Sequence, residues 1–184
     1  MVLDTLPALD PANTVRAWDL AASAQRGSSD PDWTVGLKLA RDPVGRFVVL
    51  DVVRLRGEPH EVEQAILEAA GLDGRQIAIG LPQDPGAAGK SLVSYLATLL
   101  AGHRLMISRE SGSKETRATP AAAQAGAGNL LLARAAWNRA LLEELAAFPF
   151  GAKDDQVDAL SRAFAMLIDQ PQTARRLRSA HLAR

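Results

Sequence analysis

The order of the apolar segments constrains the fold of this chain more than any other feature. Three extended segments come first, at residues 15–20, 33–40 and 47–55, and a helix pattern then alternates with short apolar runs at 77–81 and 104–108. Neighbouring strands joined by turns pair antiparallel, whereas strands separated by a helix usually pair in parallel. We therefore expect an α/β fold whose mixed sheet joins an antiparallel three-strand meander to parallel strands.

Helix patterns fill the segments between and after the later strands. Glu58-Pro59 opens the first helix and Gly71 is expected to close it, because proline favours the first helical turn and glycine the end of a helix. The all-apolar run at 77–81 is typical of a strand covered on both faces, so we expect helices on both faces of the sheet. Residues 129–133 fit a short strand or an extended loop. The other helices are expected at 92–100, 114–124, 135–147 and 154–169.

The composition predicts one globular domain without cysteine chemistry. Of the 184 residues, 47% are hydrophobic and none is cysteine, which excludes disulfides, thiolate zinc sites and cysteine nucleophiles. No signal peptide or membrane span is expected. We expect a linker or disordered start at 1–13, one domain at 14–170 and a basic tail at 171–184. The tail fits contact with nucleic acid or an anionic surface as well as a solvated chain end.

Three aspartates occupy positions that favour a shared site. Asp19 ends an apolar stretch, Asp84 follows a second one, and Asp155 opens a late helix. Carboxylates just beyond two buried strands, with a third at a helix start, can converge on divalent cations. This arrangement predicts a nuclease.

The segment around Asp84 imitates a phosphate-binding loop. Gly89-Lys90-Ser91 fits the end of the P-loop pattern, but Asp84 stands where its first glycine belongs, and a carboxylate there would repel phosphate oxygens. A metal ligand at the end of a strand explains Asp84 better, with Gly86 and Gly89 allowing close approach and Lys90 facing a phosphodiester. A plain turn or helix cap is the alternative.

The sequence KDDQVD at 153–158 holds the third acidic motif. Asp155 and Asp158 are three residues apart, so on a helix they share one face, while Asp154 points elsewhere. Acids in a first helical turn are also ordinary caps. The apolar continuation of this helix predicts that it is buried, and a buried Asp158 would be costly unless it were paired or near a cation.

Two further acids, Asp30 and Asp32, precede the second strand. A solvated turn with Asp32 capping the strand entry is the simpler interpretation, and a contribution to the metal environment is the other. We expect Trp33 in the core rather than stacked on bases. No histidine spacing indicates a zinc site or a catalytic triad.

Taken together, these motifs resemble the nuclease domain of tailed-phage terminase large subunits. The resemblance is carried by Trp18-Asp19 with SDPDWT at 29–34, by LPQDPG at 81–86 with Gly89-Lys90, and by KDDQVDAL at 153–160. It spans residues 15–167 and keeps the order and spacing of the family's motifs. It implies an RNase H-like fold related to Holliday-junction resolvases.

The resemblance also implies roles for individual residues. Asp19 matches an aspartate that bridges two metals, Asp84 the acid after the fourth strand, and Asp155 the acid of the last helix, with Asp158 as a further ligand or a partner of one. Lys153 stands where relatives often have histidine. Two Mg²⁺ ions are expected, with Mn²⁺ as a substitute, because a pair of ions can activate water and stabilise both the attacked phosphate and the leaving oxygen.

The activity implied is cleavage of concatemeric double-stranded viral DNA into genome lengths in the host bacterial cytoplasm. The ATPase domain, the small subunit and the portal are the implied partners, so the chain is expected to be a nuclease domain or a fragment of a longer protein. Phosphate contacts are expected from Lys90, Arg109, Lys114 and Arg117. A resolvase-like or transposase-like nuclease and a noncatalytic DNA-binding or assembly module remain as alternatives.

Overall fold

The computed structural model describes residues 1–21, 32–84, 86–109 and 111–169. From residue 14 onwards, the strands and helices follow the expected order. The strands are β1 (Val2–Leu3), β2 (Thr14–Asp19), β3 (Thr34–Arg41), β4 (Phe47–Leu55), β5 (Ala78–Pro82), β6 (Leu105–Ser108) and β7 (Leu130–Ala133). The helices are α1 (Pro59–Asp73), α2 (Ala87–Leu99), α3 (Lys114–Gly126), α4 (Asn138–Ala147) and α5 (Asp155–Asp169).

The described strands form one mixed sheet in the order β1-β7-β4-β3-β2-β5-β6. Strands β2, β3 and β4 pair antiparallel, which confirms the predicted meander. Strands β5 and β6 extend the sheet in parallel beyond β2, and β7 pairs in parallel with β4 on the other side. The segment at 129–133, left open between strand and loop, is therefore a strand.

Helices cover both faces of the sheet, as the apolar β5 run predicted. On one face, α1 and α2 pack around Trp18 and Leu81. On the other, α3, α4 and α5 pack around Ala17 and Leu37, and α5 is buried along most of its length. Side chains alternate between the two faces along a strand. In β2, Arg16 and Trp18 point towards α1, whereas Ala17 and Asp19 point towards α5.

The carboxyl-terminal ends of the parallel strands lie along one side of the sheet and are followed by polar residues. We call this side the carboxyl edge. Strands β2, β4, β5, β6 and β7 run in the same direction, so their last residues lie along this edge, together with the first residues of antiparallel β3. Functional residues of open α/β sheets concentrate where parallel strands end.

Three of the differences between predicted and observed helix boundaries have a local cause in the structure. Helix α1 continues through Gly71, where a side chain would meet nothing within 4 Å, and ends before Gly74, whose φ of 77° favours glycine. Helix α2 begins at Ala87, five residues early, directly after Gly86. Helix α4 begins at Asn138 because its side chain bonds the backbone of the preceding turn.

The segment 1–13, expected as a linker or a disordered start, contributes a short strand to the sheet. Val2 and Leu3 pair in parallel with Leu132 and Ala133 at the edge of the sheet. A two-residue strand has too little periodicity to be recognised from sequence. No helix of the described residues is long and apolar enough to cross a membrane.

Candidate active site at the carboxyl edge

Asp19 and Asp84 lie on neighbouring parallel strands at the carboxyl edge. Val15 and Ala17 of β2 pair with Ala78 and Gly80 of β5, Asp19 is the last residue of β2, and Asp84 follows the end of β5 by two residues. Asp19 is partly buried, whereas Asp84 is exposed. The strand pairing therefore places both residues at the carboxyl edge, on neighbouring strands.

Two glycines allow α2 to start directly beside Asp84. Gly86 has a φ of 114°, which disfavours any side chain, and it is the N-cap of α2. A Cβ at Gly89 would lie 2.6 Å from the backbone oxygen of Asp84, so only glycine permits this approach. Lys90 follows in the first turn of α2 and is exposed.

Asp155 is buried at the first residue of α5, with 5% of its surface exposed. The backbone N–H of Trp33 donates a hydrogen bond to it, while its Oδ2 has no hydrogen-bond partner among the described residues. Burial raises the pKa of Asp155, and the charges of Asp32 and Glu144 add to the rise, against the opposing effects of the Trp33 N–H and Lys153. The site thus contains a buried carboxylate that is incompletely compensated.

Glu144 fixes the start of α5 beside Asp155. Its Oε1 accepts from the backbone N–H of Gln156 and its Oε2 from the Gln156 side chain, both at 2.6 Å. Glu144 is itself buried on α4. The carboxylate of Glu144, on α4, therefore caps the N-terminus of α5. The side chain of Asp155 is not used as the cap and can face the carboxyl edge.

Asp158 faces helix α3. Its two oxygens contact Lys114 Nζ at 3.0 Å and Arg117 Nη2 at 2.8 Å, and Lys114 also contacts Asp154 at 2.7 Å. Burial alone would lower the pKa of Lys114, but the two carboxylates outweigh it and raise that pKa. The predicted ligand Asp158 and two predicted phosphate contacts are thus paired with one another.

Arg162 is a charged residue at this site that the sequence prediction missed. Its Nη2 lies 3.8 Å from Asp19 Oδ1, and its Nη1 donates to Ser108 Oγ at 2.9 Å. The side chain is 6% exposed. Arg162 therefore ties α5 to the ends of β2 and β6 and holds a positive charge next to Asp19. The available signal was a lone arginine within the buried apolar pattern of α5.

The geometry of the edge agrees with a comparison of whole sequences. The sequence profile of the terminase RNase H-like domain family matches residues 16–167. The chain belongs to this family. No curated protein matches the sequence.

Solved structures share the fold of this terminase domain. The large terminase nuclease from thermophilic phage G20c with bound zinc is 19% identical with a TM-score of 0.58, and the match covers 83% of this chain and 81% of that chain. The cobalt-bound form is 16% identical with a TM-score of 0.59 over the same shares. The fowlpox virus Holliday junction resolvase is 7% identical with a TM-score of 0.52, covering 84% of this chain and 97% of that chain. These matches confirm the RNase H-like fold.

Positive side chains flank the acidic positions of the terminase domain on two sides. Beyond β5 and β6 lie Lys90 and Arg109, both exposed, and Arg109 Nε donates to Gln83 at 3.1 Å. On the other side, Lys153 pairs with Asp32 at 2.9 Å. Asp32 is thus tied to a loop before α5, and Asp30 lies outside the described residues.

Trp33, expected in the core rather than stacked on bases, lies at the margin of the core. It is partly buried and packs against the α5 side of the core. The guanidinium carbons of Arg54 and Arg56 both lie 4.0 Å from its ring centroid. Sequence reasoning missed the two arginines because cross-strand neighbours depend on a register that only the folded sheet defines.

The acidic residues of the terminase domain fit the chemistry of a divalent cation without forming a closed site. Within residues 1–21, 32–84, 86–109 and 111–169, no three His, Cys, Asp or Glu side chains lie close enough together to hold a metal ion. Asp19, Asp84 and Asp155 nevertheless share one edge and offer the hard oxygen donors that Mg²⁺ prefers. Asp155 Oδ2 is buried and has no hydrogen-bond partner among the described residues, so a bound cation would compensate its charge.

Proposed function

We propose that this terminase domain is a metal-dependent endonuclease that cuts concatemeric double-stranded viral DNA into genome lengths. One observation carries the proposal. Three carboxylates from separate elements, Asp19, Asp84 and Asp155, reach the carboxyl edge of an RNase H-like sheet, and a buried oxygen of Asp155 lacks a hydrogen-bond partner among the described residues. Membership of the terminase family supports a nuclease built on this edge.

Asp19, Asp84 and Asp155 would hold two Mg²⁺ ions, with Mn²⁺ as a substitute. Divalent ions supply an activated water and charge stabilisation for the attacked phosphate and the leaving oxygen. The G20c terminase nuclease has been solved with bound zinc, cobalt and magnesium, which supports divalent metal use here. Asp158 is the fourth candidate, although Lys114 and Arg117 already hold its oxygens.

The protein's own contribution is positioning and charge. Arg162 fixes the carboxylate of Asp19 from the α5 side, and the Trp33 N–H orients Asp155. Lys90 and Arg109 are exposed beside Asp84, where they would meet the phosphates of bound DNA. Positions fixed by a sheet and a buried helix suit a reaction that depends on alignment of the attacking and leaving atoms.

Membership of the terminase family supports a proposal for the biological setting. We place the cleavage in viral DNA packaging in the host bacterial cytoplasm, with a terminase ATPase domain, a small subunit and a portal as partners. Timing and choice of the cut would come from those partners, because the exposed charges of Lys90 and Arg109 suit contacts to the DNA backbone, which carry no sequence information.

Cleavage of supercoiled plasmid tests the proposal. The parent protein should nick and linearise plasmid in Mg²⁺ or Mn²⁺ and not in EDTA, and Asp19→Asn and Asp84→Asn should each lower the rate at least about 100-fold, since each removes a ligand charge. Asp169→Asn is the matched control, because Asp169 is exposed at the far end of α5, about 20 Å along the helix from Asp155.

Three outcomes would overturn the proposal. If the parent does not cleave plasmid in Mg²⁺ or Mn²⁺, or if cleavage survives both Asp19→Asn and Asp84→Asn, the active site does not lie at the carboxyl edge. Cleavage of four-way junctions at much lower protein concentration than linear duplex would favour a resolvase-like nuclease, whose fold is shared by the fowlpox virus enzyme.

A further inference from the structure

A buried pair of polar side chains, Glu144 and Gln156, joins α4 to the start of α5. Glu144 accepts from both the backbone N–H and the side chain of Gln156 at 2.6 Å, and the Gln156 side chain also donates to the Ala140 carbonyl at 3.3 Å. Glu144 is 8% exposed and Gln156 is fully buried. Because Gln156 follows Asp155 directly, this pair fixes the backbone on one side of Asp155.

The pair is a costly way to cap a helix. Glu144 buries a carboxylate, and Gln156 buries an Oε1 that has no hydrogen-bond partner among the described residues, so each costs free energy. The negative charge of Glu144 also repels that of Asp155. Asp154, directly before α5, is a residue type that caps helices locally, but its side chain contacts Lys114 at 2.7 Å. Stability of the fold alone does not explain the pair.

A second set of contacts runs from Glu144 to the carboxylate of Asp155. Arg54 Nη2 lies 3.6 Å from Glu144 Oε2, and the Arg54 guanidinium carbon lies 4.0 Å from the centroid of the Trp33 ring. The backbone N–H of Trp33 donates to Asp155. Glu144 therefore contacts the residue after Asp155 directly and, through Arg54, the residue that bonds its side chain.

These contacts matter for a carboxylate that is to bind metal. The Oδ2 of Asp155 has no hydrogen-bond partner among the described residues, so the position of the side chain depends on the Trp33 N–H and on the backbone at the start of α5. Functional side chains must be held within about 0.5 Å of the productive geometry by the residues around them. A cap supplied from another helix provides this, because it fixes where α5 begins relative to the sheet.

We propose that Glu144 is a positioning residue for the metal site: it holds the start of α5 through Gln156 and so places the Asp155 carboxylate at the carboxyl edge for a divalent cation. Arg54 assists by linking Glu144 to Trp33. This inference rests on the proposed function, because it takes Asp155 as a metal ligand. Glu144 acts through Asp155 and is not itself a ligand.

Calorimetric titration with Mn²⁺, with urea denaturation of each variant, tests the inference. Glu144→Ala removes both acceptors of the cap, so Mn²⁺ affinity should fall about 10-fold or more, as for other partners of metal ligands. Glu144→Gln keeps an acceptor for the Gln156 N–H and can pair amide to amide with its side chain. It should therefore stay within about threefold of the parent. Arg54→Met keeps the cap and should lose about 3- to 10-fold.

Glu143→Ala is the matched control. Glu143 is the neighbouring carboxylate on α4, but it is exposed and pairs with Arg139 at 2.8 Å, so its substitution should leave Mn²⁺ affinity unchanged. Leu141→Ala is the stability control, because Leu141 is a fully buried core residue of the same helix. It should lower the midpoint of urea unfolding and keep Mn²⁺ affinity within about twofold of the parent.

Three results would overturn the inference: parent-like affinity in Glu144→Ala, a loss in Leu141→Ala equal to that in Glu144→Ala, or a loss in Glu144→Gln as large as in Glu144→Ala. If Glu144→Ala does not fold, parent-like affinity in Arg54→Met overturns the inference instead. A parent that binds no Mn²⁺ would contradict the proposed function itself, whereas a parent that binds with Glu144→Ala unaffected would remove only the role of Glu144.

Discussion

Strand β2 directs one charged residue towards each face of the sheet, Arg16 towards α1 and Asp19 towards α5. The charges around Arg16 are balanced, whereas those around Asp19 are mostly negative. Arg16 is 3% exposed and contacts Asp51 at 2.8 Å and the Gly36 carbonyl at 3.1 Å, and also bonds Asp73, which in turn contacts Lys38 at 2.8 Å. These two cations and two anions form what we call the Arg16 cluster. Three residues later, Asp19 ends β2 at the carboxyl edge, where Asp84 and Asp155 add further negative charge.

Structural and functional charges differ in whether they are balanced within the fold. The Arg16 cluster is balanced, and each member has a partner within the fold, so it joins α1 to the meander without any ligand. The carboxyl edge has Arg162 beside Asp19, but Asp155 keeps a buried oxygen without a hydrogen-bond partner among the described residues. An incomplete charge set at the end of parallel strands indicates a ligand, whereas a complete set indicates architecture.

Breaking the Arg16 cluster should give the largest loss of stability. Arg16→Met leaves Asp73 buried with Lys38 alone, and removing one partner of a buried ion pair costs about 3 kcal/mol or more. Urea denaturation should show this loss while the variant's folded fraction still binds metal. A loss below about 1 kcal/mol would mean that the cluster contributes little, and the contrast with the edge would fail.

Acid should weaken the same cluster in the parent. Burial alone would raise the pKa of Asp73, but Arg16 and Lys38 outweigh it and hold that pKa below its ordinary value. The stabilisation is therefore present above the unfolded pKa of about 3.9 and is lost as the pH falls through the lower native pKa. The stability gap between the parent and Asp73→Asn should be wide at pH 6 and narrow below pH 4 or so. A constant gap would contradict this.

Substitution of Asp158 tests whether this carboxylate is a structural charge, paired with Lys114 and Arg117, or a metal ligand. Asp158→Asn weakens its contacts with Lys114 and Arg117, so we expect a loss of roughly 1–2 kcal/mol in unfolding free energy for this partly buried network. Mn²⁺ affinity, measured by calorimetry, should change less than threefold. Lys114→Met should lose stability similarly. A tenfold loss of affinity would instead assign Asp158 to the metal.

Asp155→Asn should have the smallest effect on stability, and of opposite sign. An amide removes the cost of a buried charge with an unbonded oxygen, so metal-free protein should gain roughly 1 kcal/mol or less in urea denaturation. Plasmid cleavage should be lost at the same time. A substantial destabilisation would show that Asp155 is compensated within the fold, like the Arg16 cluster.

The sequence predicted the elements that have strong local signals. The meander, the apolar β5 run and buried α5 follow from periodicity, and Asp19 and Asp84 follow from their places after buried strands. Interactions across distant segments could not be predicted in this way. The contact of Arg162 with Asp19, the capping of α5 by Glu144 and the arginines on Trp33 each join segments whose proximity depends on strand order, register and helix docking.

Strands β7 and β1 show the same limit. Strand β7 lies between β4 and β1, and β1 is an edge strand of two residues. Short edge strands derive their stability from pairing and carry little sequence pattern of their own.

Calorimetric titration of the metal-free protein with Mn²⁺ tests whether the carboxyl edge binds metal. The parent should bind, Asp19→Asn and Asp84→Asn should each lose at least about tenfold in affinity, and Asp51→Asn, which changes a carboxylate of the Arg16 cluster, should bind like the parent. Absence of binding by the parent, or binding that depends on Asp51 as much as on Asp19, would contradict the assignment of the metal site to the carboxyl edge.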